Sequence, residues 1–160
     1  INNEKLDGPT LVNLMNDLAG RHGVGRIDHV EDRVVGLKSR EVYECPAATC
    51  LLEAHKDLEK FILTRHEIMF KQYVDNQWSW LVYCGLWADP LRKDLEAFIN
   101  STQKRVSGEV RLKLYKGNVN VVGRRSSFSP YNIEVTYDQS IAHGFVKLWG
   151  LPTTSQPKKD

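Results

Sequence analysis

Residues Gly25–Glu44, GRIDHVEDRVVGLKSREVYE, combine apolar and ionised side chains in a pattern that is typical of extended chain, and Gly36 divides them into two strand-like halves. Six apolar residues are spaced to be buried: Ile27, Val30, Val34, Val35, Leu37 and Val42. Eight ionised residues lie among them: Asp28, Glu31, Asp32, Arg33, Lys38, Arg40, Glu41 and Glu44. Strands that serve packing alone do not need so many charges. The charges therefore form either a solvated face or the binding site of a ligand.

The composition is that of one globular domain. The chain has 160 residues, of which 41% are hydrophobic and 26% charged. A net charge of +2 argues against a dedicated nucleic-acid-binding protein, and no apolar run approaches the length of a membrane span. The odd cysteine count, at Cys45, Cys50 and Cys84, and the lack of a signal peptide favour buried, reduced thiols in the cytoplasm. Because the chain starts at Ile1, without an initiator methionine, we expect it to be a piece of something longer or a processed chain.

Two segments in the first half of the chain carry apolar residues at helical spacing. The first is expected to begin at Gly8-Pro9 and to stop at Gly20 to Gly23. Its apolar positions are Leu11, Leu14, Met15 and Leu18. The second follows Pro46, and its stripe is Leu51, His55, Leu58 and Ile62. Thr64 and Glu67 have the spacing of a helix-capping box, which predicts a break near Thr64 and a new helix beyond it.

Residues 78–108 predict one more helix and one ambiguous element. The segment WSWLVYCGLW, Trp78 to Trp87, fits either a buried helix end or a strand. Asp89-Pro90 is a typical helix start, and Gly108 closes the helix that follows. The predicted inner face of this helix is Leu91, Leu95, Phe98, Ile99 and Val106.

After Gly108 the apolar period changes from the helical value to two. The run EVRLKLY (109–115), the turn KGN (116–118) and the run VNVVG (119–123) predict a β-hairpin. His143 to Trp149 is predicted to be a final strand. Together these elements predict an α+β domain over residues 1–150, with about three helices packed on a mostly antiparallel sheet. Residues 151–160 are expected to form a flexible tail.

No motif in the residues identifies a reaction. The segment GRHGVGR (20–26) lacks the GK[ST] of a phosphate loop and precedes a strand, so a turn explains its glycines. The histidines and cysteines show no metal-ligand spacing, and no catalytic nucleophile motif is present. The basic residues of the hairpin, Lys113, Lys116, Arg124 and Arg125, favour a solvated face over a nucleic-acid patch.

Several motifs together resemble the argininosuccinate synthases. The run GRHGVGRIDHVEDRVVGLKSREVYECP (20–46) is similar to the family pattern GRxGxGRxDxVExRxVGxKSRGxYExP. The likeness continues in the family's order through LLEAHKDLE, LVYCGLW, VSGEVRLKLYKGNVNVVGR, SPYN and GFVKLWG, from about Leu6 to Leu151. The resemblance is to the C-terminal, synthetase-type domain, because the SGGLDTS-like loop of the family's ATP module does not occur in this sequence.

The resemblance implies an activity for the complete enzyme. The family joins citrulline and aspartate at the expense of ATP: the ureido oxygen of citrulline attacks the α-phosphate, and the amino group of aspartate then displaces AMP. It implies that ATP, with magnesium, binds mainly to the N-terminal domain, so we expect this chain alone to be inactive and to bind no cofactor. The implied partners are citrulline, that ATP-binding domain and further copies of the chain in a cytoplasmic tetramer.

The resemblance also implies two substrate-binding residues. The family's glutamate in VExR and its tyrosine in SRGxYE hold the amino-acid end of citrulline, and they fall on Glu31 and Tyr43. A carboxylate and a phenolic oxygen suit an α-ammonium group. From the residues alone, Glu31 would be an ion-pair partner of Arg33 or Arg40, and Tyr43 a half-buried strand aromatic.

This sequence departs from the family pattern at several positions. Glu41 stands where the family usually has glycine, beside the citrulline tyrosine. His29, Cys45 and Ala47-Ala48 also differ from the family's usual residues, and the segments between Tyr131 and Gly144 and after Leu151 are short. These departures motivate an alternative, a non-catalytic protein-interaction domain derived from the same family.

Overall fold

The structure is a computed structural model that describes residues 1–131, 140 and 142–154. Its first unit, residues 1–130, consists of four helices and two β-hairpins. Their bounds are α1 (Gly8–Arg21), β1 (Arg26–Asp32), β2 (Lys38–Glu44), α2 (Pro46–Ile62), α3 (Arg65–Tyr83), α4 (Pro90–Gln103), β3 (Glu109–Tyr115) and β4 (Asn118–Arg125). A second unit, Tyr131–Asp160, contains α5 (His143–Thr154).

The prediction of an α+β fold with antiparallel strands is confirmed. The strands form two separate two-stranded sheets, β1–β2 and β3–β4. The described residues hold five helices where the sequence predicted about three, because α2 and α3 are separate helices on either side of Thr64 and because α5 replaces the predicted final strand. Trp78 to Trp87 continues α3 as far as Tyr83 and then turns at Gly85, whose φ is 73°.

The helix starts lie where the capping residues predict. The Asp7 side chain accepts a hydrogen bond from the Thr10 N–H at 2.8 Å, and Asp89 accepts one from Leu91 at 2.8 Å. At the predicted break, Thr64 and Glu67 form both hydrogen bonds of a capping box. Short polar side chains thus satisfy the N–H groups that a first helical turn leaves unpaired.

The predicted final strand at His143 to Trp149 is wrong, because these residues begin α5. Phe145, Leu148, Trp149 and Pro152 follow one another at intervals of three, one and three residues, which is helical spacing. The helix runs to Thr154, past the domain boundary predicted at residue 150. Residues 155–160 of the predicted tail lie outside the described residues.

Four residues assigned to apolar helix faces lie elsewhere, and one of them, Leu51 of α2, is 40% exposed. His55 is half exposed, and its Nε2 is 3.4 Å from Glu59 one turn away. Leu91 is exposed in the first turn of α4, and Val106 follows the end of that helix. Instead, α4 buries Arg92, whose guanidinium stacks on the Trp87 ring and whose Nε donates to the Trp87 carbonyl at 2.7 Å. An arginine whose charge is held by an aromatic ring and a carbonyl group can be buried. Arg92 therefore lies in the interior, whereas the neighbouring Leu91, which the apolar spacing favoured, is exposed.

Helix α2 connects the other elements of the first unit. The principal core cluster consists of Met15, Ala19, Val24, Ala47 and Cys50, with Leu112, Leu114 and Val119 of the second hairpin packed against it. That hairpin is also fixed to α2 by a bidentate ion pair, in which Arg124 Nε and Nη2 lie 2.5 and 2.9 Å from the Asp57 carboxylate. Of the three cysteines predicted to be buried, Cys50 is fully buried, while Cys45 and Cys84 are half-buried.

Gly25 joins the first hairpin to the core. Its φ is 84°, and a Cβ there would lie 2.6 Å from the backbone of Pro46, the first residue of α2. The Cys45 N–H donates to the Gly25 carbonyl at 2.9 Å, so both ends of the hairpin meet the start of α2. Glycine is therefore required here both by its backbone conformation and by the close approach.

We expect Gly25→Ala to destabilise the fold more than Gly36→Ala. Gly36 has a similar φ of 81°, but a Cβ added there would have no neighbour within 4 Å, so its substitution costs only the left-handed conformation, about 1–2 kcal/mol. Gly25→Ala adds an overlap with backbone that no side-chain rotation relieves, a further ~1–3 kcal/mol. Chemical denaturation of both variants measures the difference, and equal losses would contradict the role given to the contact with Pro46.

Candidate functional site

The register of the first hairpin sorts its charged residues onto two faces. Directly opposite residues include Glu31 and Ser39, His29 and Glu41, and Ile27 and Tyr43, which alternate with a second set of pairs. Opposite residues of an antiparallel pair share a face, and successive pairs point to opposite faces. Glu31, Glu41 and Tyr43 therefore lie on one face, here called the Glu31 face.

The opposite face pairs its charges internally. Arg26 lies 3.2 Å from Glu44, Lys38 lies 2.7 Å from Asp32, and Arg40 donates twice to Asp28, at 2.8 and 2.6 Å. The hydrogen bond from Arg40 lowers the pKa of Asp28 and raises that of Arg40. These side chains are more than half exposed. This face is therefore the solvated charged face that the sequence offered as an alternative to a ligand-binding site.

The Glu31 face brings together the two residues that the resemblance singled out. The Tyr43 hydroxyl donates a hydrogen bond to Glu31 Oε2 at 3.1 Å, although the two residues lie twelve positions apart in the chain. Arg33 Nη1 lies 3.1 Å from Glu31 Oε1. Glu31 therefore also forms the ion pair with Arg33 that was one of the two expected from the sequence without the family resemblance. The Glu31 side chain is only 19% exposed, while most of the hairpin is open to solvent.

Glu41 is linked to this pair through Arg33. The second terminal nitrogen of Arg33 hydrogen-bonds to Glu41 Oε1, so one guanidinium bridges two carboxylates. His29, opposite Glu41 in the register, has its Nε2 3.7 Å from Glu31 Oε2.

The surroundings of Tyr43 favour its protonated form. Partial burial, the hydrogen bond to Glu31 and the negative charges of Glu31 and Glu41 raise the pKa of Tyr43, and only Arg33 opposes them. The phenol thus remains a donor to Glu31 at neutral pH, and its own lone pairs stay available beside the carboxylate. The result is a pair of adjacent oxygen acceptors, which suits a cation with several N–H donors.

Three contributors to this face were missed in the sequence. Ser39 lies opposite Glu31, and its buried Oγ has no hydrogen-bond partner within the described part of the chain. The Tyr83 hydroxyl, at the end of α3, donates to the Asp32 carbonyl at 3.0 Å and holds the far end of β1. The bridging role of Arg33 was also missed. Centring the turn on Val35 alone would have placed Ser39 opposite Glu31 from the sequence.

The apolar residues of the hairpin are exposed, contrary to the expectation from their spacing. The exposed fraction is 78% at Val35, 69% at Val42 and 62% at Val30. The described residues provide no layer that covers them. They remain a surface on which another chain or domain can bury apolar area.

The glycine-rich segment 20–26 does not fit a phosphate-binding loop. Gly23 and Gly25 have positive φ, but they connect the end of α1 to β1, and Gly25 is pressed against Pro46. Within residues 1–131, 140 and 142–154, no group of three His, Cys, Asp or Glu residues could hold a metal ion. Among the same residues, each helix is too short or too polar to span a lipid bilayer.

Comparison with known proteins identifies the family. The family model of the arginosuccinate synthase C-terminal domain matches residues 1–156. The chain belongs to this family. It is 53% identical to the argininosuccinate synthase of Pyrococcus furiosus over 158 residues, which cover 94% of this chain and 38% of that protein. It is 52% identical to the argininosuccinate synthase of Methanocaldococcus jannaschii over 157 residues, 94% of this chain and 40% of that protein.

A third relative shows the same coverage. The argininosuccinate synthase of Crocosphaera subtropica is 49% identical over 160 residues, which cover 96% of this chain and 40% of that protein. The chain thus spans about two fifths of the length of the relatives it matches. Membership of this synthase family extends over both hairpins and all the described helices.

We expect the Tyr43 phenol to ionise above the ordinary range for tyrosine. The difference between ultraviolet pH titrations of the wild type and Tyr43→Phe isolates this group from the other tyrosines. In a Glu31→Gln background the pKa should fall, because the carboxylate no longer opposes a negative phenolate. Glu44→Gln, on the opposite face, should leave it unchanged. An ordinary pKa in the wild type would contradict the described contact.

Proposed function

We propose that this chain is the citrulline-binding and assembly part of an argininosuccinate synthase. In this proposal the complete enzyme condenses citrulline and aspartate, and ATP is converted to AMP and pyrophosphate. Membership of the family supports the reaction, and the hydrogen bond between Tyr43 and Glu31 supports the role in citrulline binding.

The Glu31 face has the chemistry that an amino-acid head group requires. An α-ammonium group is a cation with three N–H donors, and the face offers it a largely desolvated carboxylate beside a phenolic oxygen. Tyr43 orients Glu31 Oε2 through its own hydrogen bond, so the two acceptors are fixed relative to each other before a ligand arrives. A charge-assisted hydrogen bond of this kind contributes about 1.5–3 kcal/mol.

The rest of the proposed reaction requires groups outside this chain. ATP with magnesium is proposed to bind mainly to a separate N-terminal domain, which activates the ureido oxygen of citrulline as an adenylate. The segment 20–26 is closed against Pro46 and is not suited to that task. We therefore propose that the chain alone is inactive as a ligase, and that it acts with the ATP-binding domain in the cytoplasm.

Two apolar surfaces support the proposal of a homo-oligomer, a tetramer by family resemblance. The hairpin exposes Val30, Val35 and Val42, and α5 exposes Leu148 and Trp149. Monomeric domains rarely leave such groups of large apolar side chains in water. The same surfaces favour the alternative of a non-catalytic interaction domain, and citrulline binding distinguishes the two functions.

We expect Glu31→Gln to weaken citrulline binding at least several-fold without unfolding the domain. The amide keeps the shape of the side chain but removes the charge that attracts the ammonium group. Calorimetric titration of citrulline should be made on the complete protein encoded by the reading frame that contains Ile1–Asp160. The thermal unfolding midpoint of each variant establishes that the fold is retained.

Glu44→Gln is the matched control. It makes the same chemical change in the same hairpin, but on the face that pairs its charges internally. It should bind citrulline like the wild type. Absence of citrulline binding in the wild type, or equal affinities for wild type and Glu31→Gln, would overturn the proposed role and favour the non-catalytic alternative.

A further inference from the structure

Glu31 shares its only guanidinium partner within the described residues with a second carboxylate. Arg33 Nη1 is 3.1 Å from Glu31 Oε1, and the other terminal nitrogen of Arg33 hydrogen-bonds to Glu41 Oε1. Two carboxylates therefore face one guanidinium, which leaves one negative charge in excess on this face.

The excess charge determines what the face can bind. If Arg33 served Glu31 alone, the pair would be neutral, and an approaching ammonium group would compete directly with the guanidinium for the carboxylate. Glu41 binds one terminal nitrogen of Arg33, so only the other terminal nitrogen contacts Glu31. The planar, forked guanidinium can contact both carboxylates at once. Arg33 contacts Glu31 through Oε1, whereas the other oxygen, Oε2, accepts the Tyr43 hydrogen bond and lies 3.7 Å from His29 Nε2.

We infer that Glu41 is a positioning residue that sets the affinity of the Glu31 face for a cationic head group, by holding Arg33 between the two carboxylates. This inference rests on the proposed role of Glu31 in citrulline binding. Glu41 acts through Arg33 and needs no contact with the ligand. Its side chain is 33% exposed and that of Arg33 47%, so the coupling is moderated by solvent.

The first test compares Glu41→Gln with Glu44→Gln in calorimetric citrulline titrations of the complete protein. Glu41→Gln should weaken binding roughly two- to fivefold, the range expected for a partly exposed ion pair. Glu44→Gln removes an equal charge from the opposite face and should bind like the wild type. The loss in Glu41→Gln should shrink as salt is raised, which a packing defect would not produce.

The second test separates action through Arg33 from a direct attraction between Glu41 and the ligand. In an Arg33→Gln background, Glu41→Gln should have no further effect on affinity, because the shared partner is already absent. An undiminished effect in that background would overturn the coupling through Arg33.

The outcomes also separate this inference from the proposed function. One outcome is that the wild type binds citrulline, that Glu31→Gln binds it more weakly, and that Glu41→Gln binds it as well as Glu44→Gln does. This outcome overturns the inference about Glu41 and leaves the role of Glu31 in place. If wild type does not bind citrulline, or Glu31→Gln binds equally well, the proposed function and this inference fail together. Unfolding midpoints of all variants establish that the affinities compare folded proteins.

Discussion

The close approach of Gly25 to Pro46 is the constraint on which the position of the first hairpin depends. The backbone of residue 25 lies so near the start of α2 that no side chain fits between them. The Cys45 N–H bonds to the Gly25 carbonyl, and the Ala47 N–H bonds to Asn16 Oδ1 of α1 at 2.9 Å. Helix α1, both ends of the hairpin and the start of α2 therefore meet at one tightly packed point. The hairpin extends from that point, and towards its tip the Tyr83 hydroxyl donates a hydrogen bond to the Asp32 carbonyl.

A hairpin anchored in this way must pair its own charges, because most of its residues are exposed among the described part of the chain. The register does this by separating two sets of ionised side chains. On one face each carboxylate has a cation across the strands, and the face is stable in water. On the other face two carboxylates share one guanidinium, and the face retains unsatisfied acceptor capacity. A shift of one residue in register would exchange the faces, so the geometry of the turn at Gly36 sets the chemistry of the site.

The sequence predicted the local structure where short-range chemistry decides it. The helix starts at Gly8-Pro9, Thr64 and Asp89-Pro90 and the break at Gly36 follow from residues only a few positions apart, and each lies where it was expected. Helix α5 was missed because a short apolar run fits a strand as well as a helix when its neighbours are ignored. The exposure of Val35 and Val42 was missed for a different reason: apolar spacing shows that a residue is suited to burial, but not which surface buries it. The pairing of Glu31 with Tyr43 came from a family resemblance, whereas the sharing of Arg33 depends on side-chain distances that neither spacing nor resemblance contains.

The exposed apolar residues and the paired charges of the hairpin have a common physical consequence. Covering an ionised side chain with another protein surface is costly unless the charge keeps its partner, whereas covering a valine is favourable. The solvated face meets this condition, because its ion pairs lie within the hairpin and can persist when water is displaced. The Glu31 face does not, because its two carboxylates share the guanidinium of Arg33, and the other basic group near them among the described residues is the His29 imidazole, 3.7 Å from Glu31. Closing a second surface over that face would cost least with a cation bound beside Glu31 and Tyr43, so burial of the face and binding of an ammonium group would strengthen each other.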